Sequence, residues 1–170
     1  LKKIFNLGTQ ILTGVFPKSK NEKIDAGSLS MILCANCKLL QLENSFNPSK
    51  MYGSSYGYMS SLNLLILKYL KNKSIKLKKL VNLEKSETII DIGSNDGTFL
   101  NFFEKKYNLL GVDPSSKRLK KFYRKDIKII PDFFTYQKIS KYLKNKKAKI
   151  ITSISMFYDL EDPTKFAKDI

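Results

Sequence analysis

The sequence predicts an α/β fold in which a parallel sheet carries helices on both faces, preceded by a small β-rich region. From Glu87 onward, apolar strand-like runs alternate with helix-like segments. The first of these strands ends in the glycine-containing turn 91–98. Residues 1–60, in contrast, hold most of the glycines and both cysteines. Repeated strand–helix units imply parallel strands joined by crossover helices.

The first region, residues 1–60, is expected to be a small domain of short strands, because its glycines and prolines disfavour regular helix. Residues 28–33 and 38–42 are predicted to be strands that flank Cys34 and Cys37. A Cys-x-x-Cys pair between strands is typical of a zinc knuckle. A structural zinc site needs four ligands, and the chain has two cysteines and no histidine, so it supplies half a site. Reduced thiols without metal and a redox pair are the alternatives.

Residues 61–86 are predicted to form a helix that links the two domains. Apolar residues recur there at roughly helical spacing, with lysines between them. Ser60 or Ser61 is the expected N-cap, and a break is expected near residues 72–74.

Residues 87–170 are predicted to form an incomplete ligand-binding domain with a four-stranded sheet. Sheets of this kind usually have more strands, and the chain starts with Leu1, so the sequence is interpreted as a fragment. The predicted strands are 88–92, 108–112, 127–130 and 148–154, and the predicted helices are 98–106, 116–124, 136–143 and one that begins at Pro163.

The turn after the first of these strands is the expected binding site, since ligands of open α/β sheets bind beyond the carboxyl ends of the strands. Gly93 permits a sharp turn, and Gly97 permits close backbone approach at the helix start. A dinucleotide fingerprint would also place glycines where Asn95 and Thr98 stand, so a dinucleotide fits poorly. A P-loop is excluded because no Gly-Lys-Ser/Thr follows.

The charge of this turn favours a cationic ligand without phosphates. Asp91 and Asp96 would repel phosphate groups, whereas S-adenosyl-L-methionine carries a sulfonium and an ammonium. The cofactor-binding residues predicted in the turn are Asp91, Gly93, Ser94, Asn95, Asp96 and Gly97.

The ends of the next two strands are predicted to complete the cofactor site. Asp113 ends the second strand, where a carboxylate can accept hydrogen bonds from ribose hydroxyls. Asp132 and Phe133 follow the third strand and offer an acceptor for the adenine amino group and an aromatic face. A plain helix cap at Asp113, and a core position for Phe133, are the alternatives.

In sequence, these motifs resemble a family of sugar C-methyltransferases that act on nucleotide-linked deoxy-keto sugars. This family has a small zinc-binding domain, a Rossmann-like class I methyltransferase domain and a C-terminal domain. The segments that carry the resemblance are the cysteine pair with the following Leu-Leu-Gln-Leu, then residues 56–61, 91–98, 111–114 and 132–134.

The resemblance implies methyl transfer from S-adenosyl-L-methionine to a sugar carbon, and a zinc ion bound in part by the cysteine pair. Tyr56 and Tyr58 are predicted to contact the substrate, with packing between domains as the alternative. The family's base-bearing segment would lie past Ile170, so no catalytic residue is identified. The sequence departs from the family at Tyr69, where the family usually has histidine.

The net charge of +16 leaves other functions open. All but two of the 31 basic residues are lysine, whereas nucleic-acid binding commonly recruits arginine, so a solvated basic surface is the favoured interpretation. An RNA methyltransferase, or a domain that binds cofactor or partner without turnover, is the alternative. No apolar run is long enough for a membrane span and no signal peptide is recognised, so the cytoplasm is the expected location.

Overall fold

A computed structural model describes residues 1–17, 19–53, 55–144 and 146–170. The chain divides into two compact units, Leu1–Gly57 and Tyr58–Ile170. Within the described ranges, no helix is both long enough and apolar enough to span a bilayer.

The first unit is built on a three-stranded antiparallel sheet. Its strands β1 (Lys2–Ile11), β2 (Ala26–Leu33) and β3 (Leu40–Leu42) lie in the order β1-β2-β3, and a four-residue helix α1 (Pro48–Met51) follows them. The predicted strands at 28–33 and 38–42 are confirmed as β2 and β3. The sequence did not predict β1, because every residue of this strand is exposed and no buried face imposes an apolar alternation.

The second unit contains a sheet of four parallel strands in the order β6-β5-β4-β7, which confirms the predicted α/β fold. The central strand β4 is buried along its whole length because it has a neighbour on each side and helices on both faces. The four strands are β4 (Thr88–Ile92), β5 (Asn108–Val112), β6 (Lys128–Ile130) and β7 (Ile150–Ser153).

Two apolar clusters hold the helices of this unit against opposite faces of the sheet. Ile89 of β4 packs in one cluster with Leu70, whereas the next residue, Ile90, packs in the other with Ile139. The alternation follows from the two-residue period of a strand. The helices are α2 (Leu64–Leu80), α3 (Thr98–Asn101), α4 (Tyr136–Leu143) and α5 (Pro163–Asp169).

Helix α2 begins later than the sequence predicted and is not broken. The Asn63 side chain accepts hydrogen bonds from two N–H groups of the first turn and is the N-cap. Ser60 and Ser61, the predicted caps, lie instead in a 3-10 turn that precedes the helix. The predicted break near residues 72–74 is wrong, since the helix continues to Leu80 and buries its apolar side against the sheet.

Helix α3 is shorter than the predicted helix 98–106. The Arg124 guanidinium donates hydrogen bonds to the carbonyl oxygens of Asn101 (2.9 Å) and Phe103 (2.6 Å). These are carbonyls that a continuing helix would pair with N–H groups four residues later. A contact from outside the segment therefore ends the helix.

The predicted helix 116–124 is replaced by two 3-10 turns, Pro114–Lys117 and Lys120–Phe122. Tyr123 then adopts an extended backbone. Its side chain lies against the turn after β4, where it forms hydrogen bonds that no helical periodicity reveals. The outer strands β6 and β7 are also shorter than predicted.

We expect Asn63→Ala to lower the free energy of unfolding by about 1 kcal/mol, because two first-turn N–H groups lose their acceptor. Urea denaturation measures the change. Ser61→Ala is the matched control, since Asn63 keeps its cap and stability should stay near wild type. Equal losses in the two variants would contradict the cap at Asn63.

Candidate functional site

The turn between β4 and α3 depends on residues with positive φ. Gly93 (φ 74°), Asn95 (φ 50°) and Gly97 (φ 76°) adopt left-handed backbone conformations, which glycine favours and asparagine tolerates. A side chain at Gly97 would also meet the ring of Tyr123, because a Cβ there would lie 2.5 Å from it. The predicted need for glycine at both positions therefore has a geometric basis.

Tyr123 supports this turn, and the sequence did not predict its role. Its hydroxyl donates to the Asn95 carbonyl oxygen (2.8 Å) and lies 2.8 Å from the Ser94 hydroxyl. Burial raises the pKa of Tyr123 well above its usual range, so the phenol stays a donor. The sequence held one signal for this contact, which is Gly111 inside β5. A glycine within a strand often marks a place where another group approaches the backbone closely, and here the side chains of Tyr123 and Ser94 do so.

Asp91 is a buried carboxylate at the end of β4. It is 4% exposed and accepts one hydrogen bond from the Thr152 hydroxyl (2.7 Å). Burial raises the pKa of Asp91 to about 7; the Thr152 bond opposes this shift, and the charge of Asp113 adds to it. Neither Asp91 nor Asp113 takes part in the seven ion pairs found in the described ranges. No Lys or Arg side chain there forms an ion pair with these two carboxyl groups.

Asp113 lies at the end of β5 and is tied to the turn after β4. Its carboxylate accepts hydrogen bonds from the Asn95 N–H (2.9 Å) and from the N–H and hydroxyl of Ser115. The side chain thus caps the following 3-10 turn and also fixes the turn 93–97 beside it. Ribose binding by Asp113 stays a prediction.

Three side chains that the sequence assigned to the cofactor form hydrogen bonds inside the protein. Ser94 pairs with Tyr123, as described above. The Asn95 side-chain amide donates to the Tyr58 carbonyl oxygen and accepts from the Ser60 N–H. The Asp96 carboxylate accepts from the N–H and hydroxyl of Thr98 and from the Ser61 N–H. Contact between these residues and a cofactor stays a prediction. Within the turn 93–97, Gly93 is exposed and the other four residues are buried.

The polar groups around Gly93 fit a ligand with cationic and polar ends. A Cβ at Gly93 would lie 3.3 Å from the Met156 side chain, which packs beside it. The hydroxyl of Ser153, on β7 next to Ile92, is buried and has no hydrogen-bond partner within the described part of the chain. Together with Asp91, this gives an uncompensated carboxylate and an unpaired hydroxyl at the head of the sheet.

Asp132 and Phe133 lie beyond the end of β6, at the edge of the sheet. Asp132 pairs with the Lys138 ammonium at 2.5 Å and accepts a hydrogen bond from the Phe133 N–H. The Lys138 partner holds the pKa of Asp132 below its usual range. Phe133 is half-buried, while Phe134 packs edge-on against Phe166. Adenine recognition by Asp132 and Phe133 stays a prediction.

The two predicted substrate tyrosines belong to different units. Tyr56 packs its ring against Gly14 and edge-on to Tyr52, inside the first unit. Tyr58 belongs to the second unit, where the residue is 43% exposed and its carbonyl oxygen accepts a hydrogen bond from Asn95.

Cys34 and Cys37 lie in the tight turn between β2 and β3. Hydrogen bonds from the backbone of Cys37 and Asn36 lower the pKa of Cys34, which favours the thiolate that binds metal. Lys38 closes the turn with positive φ and an N–H bond to the Cys34 carbonyl. The arrangement fits one half of a zinc knuckle. Among the described residues, no group of three or more metal-ligating side chains is found.

The fold defines a Rossmann-like α/β protein with a candidate ligand site at the head of its parallel sheet. Residues 67–170 match a family model described as a methyltransferase domain, and residues 1–52 match one described as a proposed zinc-binding domain. The methyltransferase match covers more than half of the chain, so the protein belongs to this methyltransferase family. A comparison with curated proteins finds no match.

We expect Asp91→Asn to gain stability relative to wild type as the pH rises from 5 to 8. A buried aspartate with pKa about 7 stays protonated where the unfolded chain has already ionised, so wild-type stability falls between pH 4 and 7. The variant keeps the Thr152 bond but cannot ionise, and its relative gain should be about 2 kcal/mol. Urea denaturation at both pH values measures it.

The exposed Asp25→Asn is the matched control for this pH dependence and should show no such gain. A stability difference between Asp91→Asn and wild type that is the same at pH 5 and pH 8 would show that burial does not control the ionisation of Asp91.

Proposed function

We propose that the protein binds S-adenosyl-L-methionine at the head of β4 and methylates a carbon of a nucleotide-linked deoxy-keto sugar. The observation that carries the cofactor assignment is the buried carboxylate of Asp91, whose pKa is raised to about 7 beside a second carboxylate. A sulfonium and an ammonium would balance this charge, whereas phosphate groups would increase the repulsion.

Four residues are proposed to hold the cofactor. Asp91 attracts the cationic methionine end, and the unpaired hydroxyl of Ser153 is available for its polar groups. Gly93 lets the ligand approach the backbone, and Asp113 retains acceptor capacity for ribose hydroxyls, because a carboxylate has about four lone-pair sites and three hydrogen bonds reach it here.

The acceptor assignment is supported by the order of the two matched domains and by the motif resemblance described above. A shallow, open and mostly apolar surface lies past β7 on the side where the acceptor would approach, because Phe157, one of its residues, directly follows Met156 beside Gly93. The remaining lining residues are Pro163, Thr164, Ala167 and Lys168.

The reaction requires a carbon acid and a methyl donor held in line. When bound, S-adenosyl-L-methionine supplies a methyl group on a positively charged sulfur. A carbonyl next to the acceptor carbon would acidify its C–H bond, so that a general base could take the proton and leave that carbon the electron pair with which it accepts the methyl group. Met156 and Phe157 present apolar surface that helps exclude water, and the turn 93–97 fixes the donor.

The cysteine pair is proposed to bind zinc as a structural ion. Cys34 and Cys37 supply two thiolate ligands, and the lowered pKa of Cys34 supports the first of them. The ion would hold the turn between β2 and β3 and would take no part in methyl transfer.

Calorimetry with S-adenosylhomocysteine tests the cofactor site, because this product keeps the ammonium group. We expect wild type to bind it and to release roughly half a proton at pH 7, as the bound ammonium lowers the pKa of Asp91. Asp91→Asn should bind at least about tenfold more weakly and release no such proton. Asp25→Asn is the control, and binding unaffected by Asp91→Asn would overturn the role of Asp91.

Methyl transfer from tritiated S-adenosyl-L-methionine tests the acceptor. We expect label in a nucleotide-linked deoxy-keto sugar, with a new carbon-bound methyl signal in the NMR spectrum. Label in added RNA would show that the sugar assignment is wrong. Cofactor binding without transfer to either acceptor would identify a binding domain without turnover.

A further inference from the structure

We propose that Asn95 and Asp96 are positioning residues that hold residues 58–61, here called the clamped segment, on the cofactor turn. The clamped segment then forms a preorganised wall of the methyl-transfer site. Its place in that site rests on the proposed function, whereas the clamp is a property of the chain without ligand.

Asn95 uses all of its polar atoms within the protein. Its backbone N–H donates to Asp113 (2.9 Å), and its carbonyl oxygen accepts from the Tyr123 hydroxyl (2.8 Å). Its side-chain oxygen accepts from the Ser60 N–H (3.0 Å), and its side-chain NH₂ donates to the Tyr58 carbonyl (3.0 Å). The backbone atoms therefore fix the turn, and the side-chain atoms fix the clamped segment.

Few residue types could both adopt the backbone conformation of residue 95 and form its two side-chain hydrogen bonds. The backbone of Asn95 has φ 50°, a conformation that glycine adopts freely and that asparagine and aspartate adopt more often than other residues. The side chain must accept from Ser60 and also donate to Tyr58, which glycine and an ionised aspartate cannot do. Asparagine at the second glycine place of a dinucleotide fingerprint thus has a physical explanation.

Asp96 adds a charged acceptor to the clamp. It is 0% exposed, and one carboxylate oxygen accepts from the N–H and hydroxyl of Thr98, at the start of α3. The other oxygen accepts from the Ser61 N–H (2.9 Å). Three hydrogen bonds satisfy the buried charge, and one of them reaches the clamped segment.

The clamped segment is restrained along its length and on its C-terminal side. Three hydrogen bonds from Asn95 and Asp96 fix its backbone, and the Asn63 cap fixes the start of α2 two residues later. A wall that is ordered before the ligand arrives loses little conformational entropy on binding. The exposed ring of Tyr58 is thereby presented from a fixed backbone.

Asn95→Gly separates the two tasks. Glycine accepts the positive φ and keeps the backbone bonds to Asp113 and Tyr123, but it loses both side-chain bonds. Hydrogen exchange of the full chain without ligand should show the Ser60 amide exchanging roughly tenfold faster, with the residue 95 amide unchanged. In Asn95→Asp, Ser60 keeps its acceptor and should stay protected. Unchanged exchange of Ser60 in Asn95→Gly would overturn the clamp.

Ligand measurements on the same variants separate positioning from direct contact. We expect Asn95→Gly to bind S-adenosylhomocysteine within about threefold of wild type and to raise the KM for the sugar acceptor roughly tenfold. A loss of more than about tenfold in cofactor affinity, with the residue 95 amide still protected, would make Asn95 a cofactor ligand and overturn the proposal. Failure of wild type to bind S-adenosylhomocysteine refutes the proposed function, while the exchange comparison still decides the clamp.

Discussion

The need to satisfy three buried carboxylates organises the head of the parallel sheet. Asp96 and Asp113 each accept three hydrogen bonds from nearby protein groups, and these bonds set the conformation of the turn after β4 and the starts of the segments that follow. Asp91 accepts one short bond from Thr152 and retains a raised pKa. A buried charge without enough partners is unfavourable, which is the physical basis for proposing a cationic ligand at this place.

Contacts with Tyr123 keep the turn 93–97 in a conformation that would otherwise be strained. Tyr123 packs under Gly97 and bonds the Asn95 carbonyl, while the small residue Gly111 leaves space for its ring. The turn can therefore hold three residues with positive φ in five positions. This rigidity matters for methyl transfer, where alignment of donor and acceptor provides much of the rate.

The acidic residues at the head of the sheet can set the local electrostatic potential without contacting a ligand themselves. The sequence predicts that the acidic residues of the turn disfavour phosphates, and this stays a prediction, whereas Asn95 and Asp96 direct their side chains to residues 58–61. The local potential can favour a cation even where a carboxylate does not touch it. In the first unit, the Cys34 thiol illustrates the same principle, since backbone N–H groups lower its pKa before any metal binds.

The sequence by itself determined the parallel α/β fold, the bounds of β4, β5 and α4, and the glycine-dependent turn after β4, because these depend on local periodicity and on glycine at fixed places. Only the tertiary structure decided the end of α3, the extended backbone at Tyr123 and the partners of Asn95. Arg124 reaches the carbonyl oxygens of Asn101 and Phe103 from more than twenty residues away, and Asn95 bonds backbone groups more than thirty residues away. Such contacts leave no periodic pattern, since a side chain's hydrogen-bond partner depends on how distant segments pack.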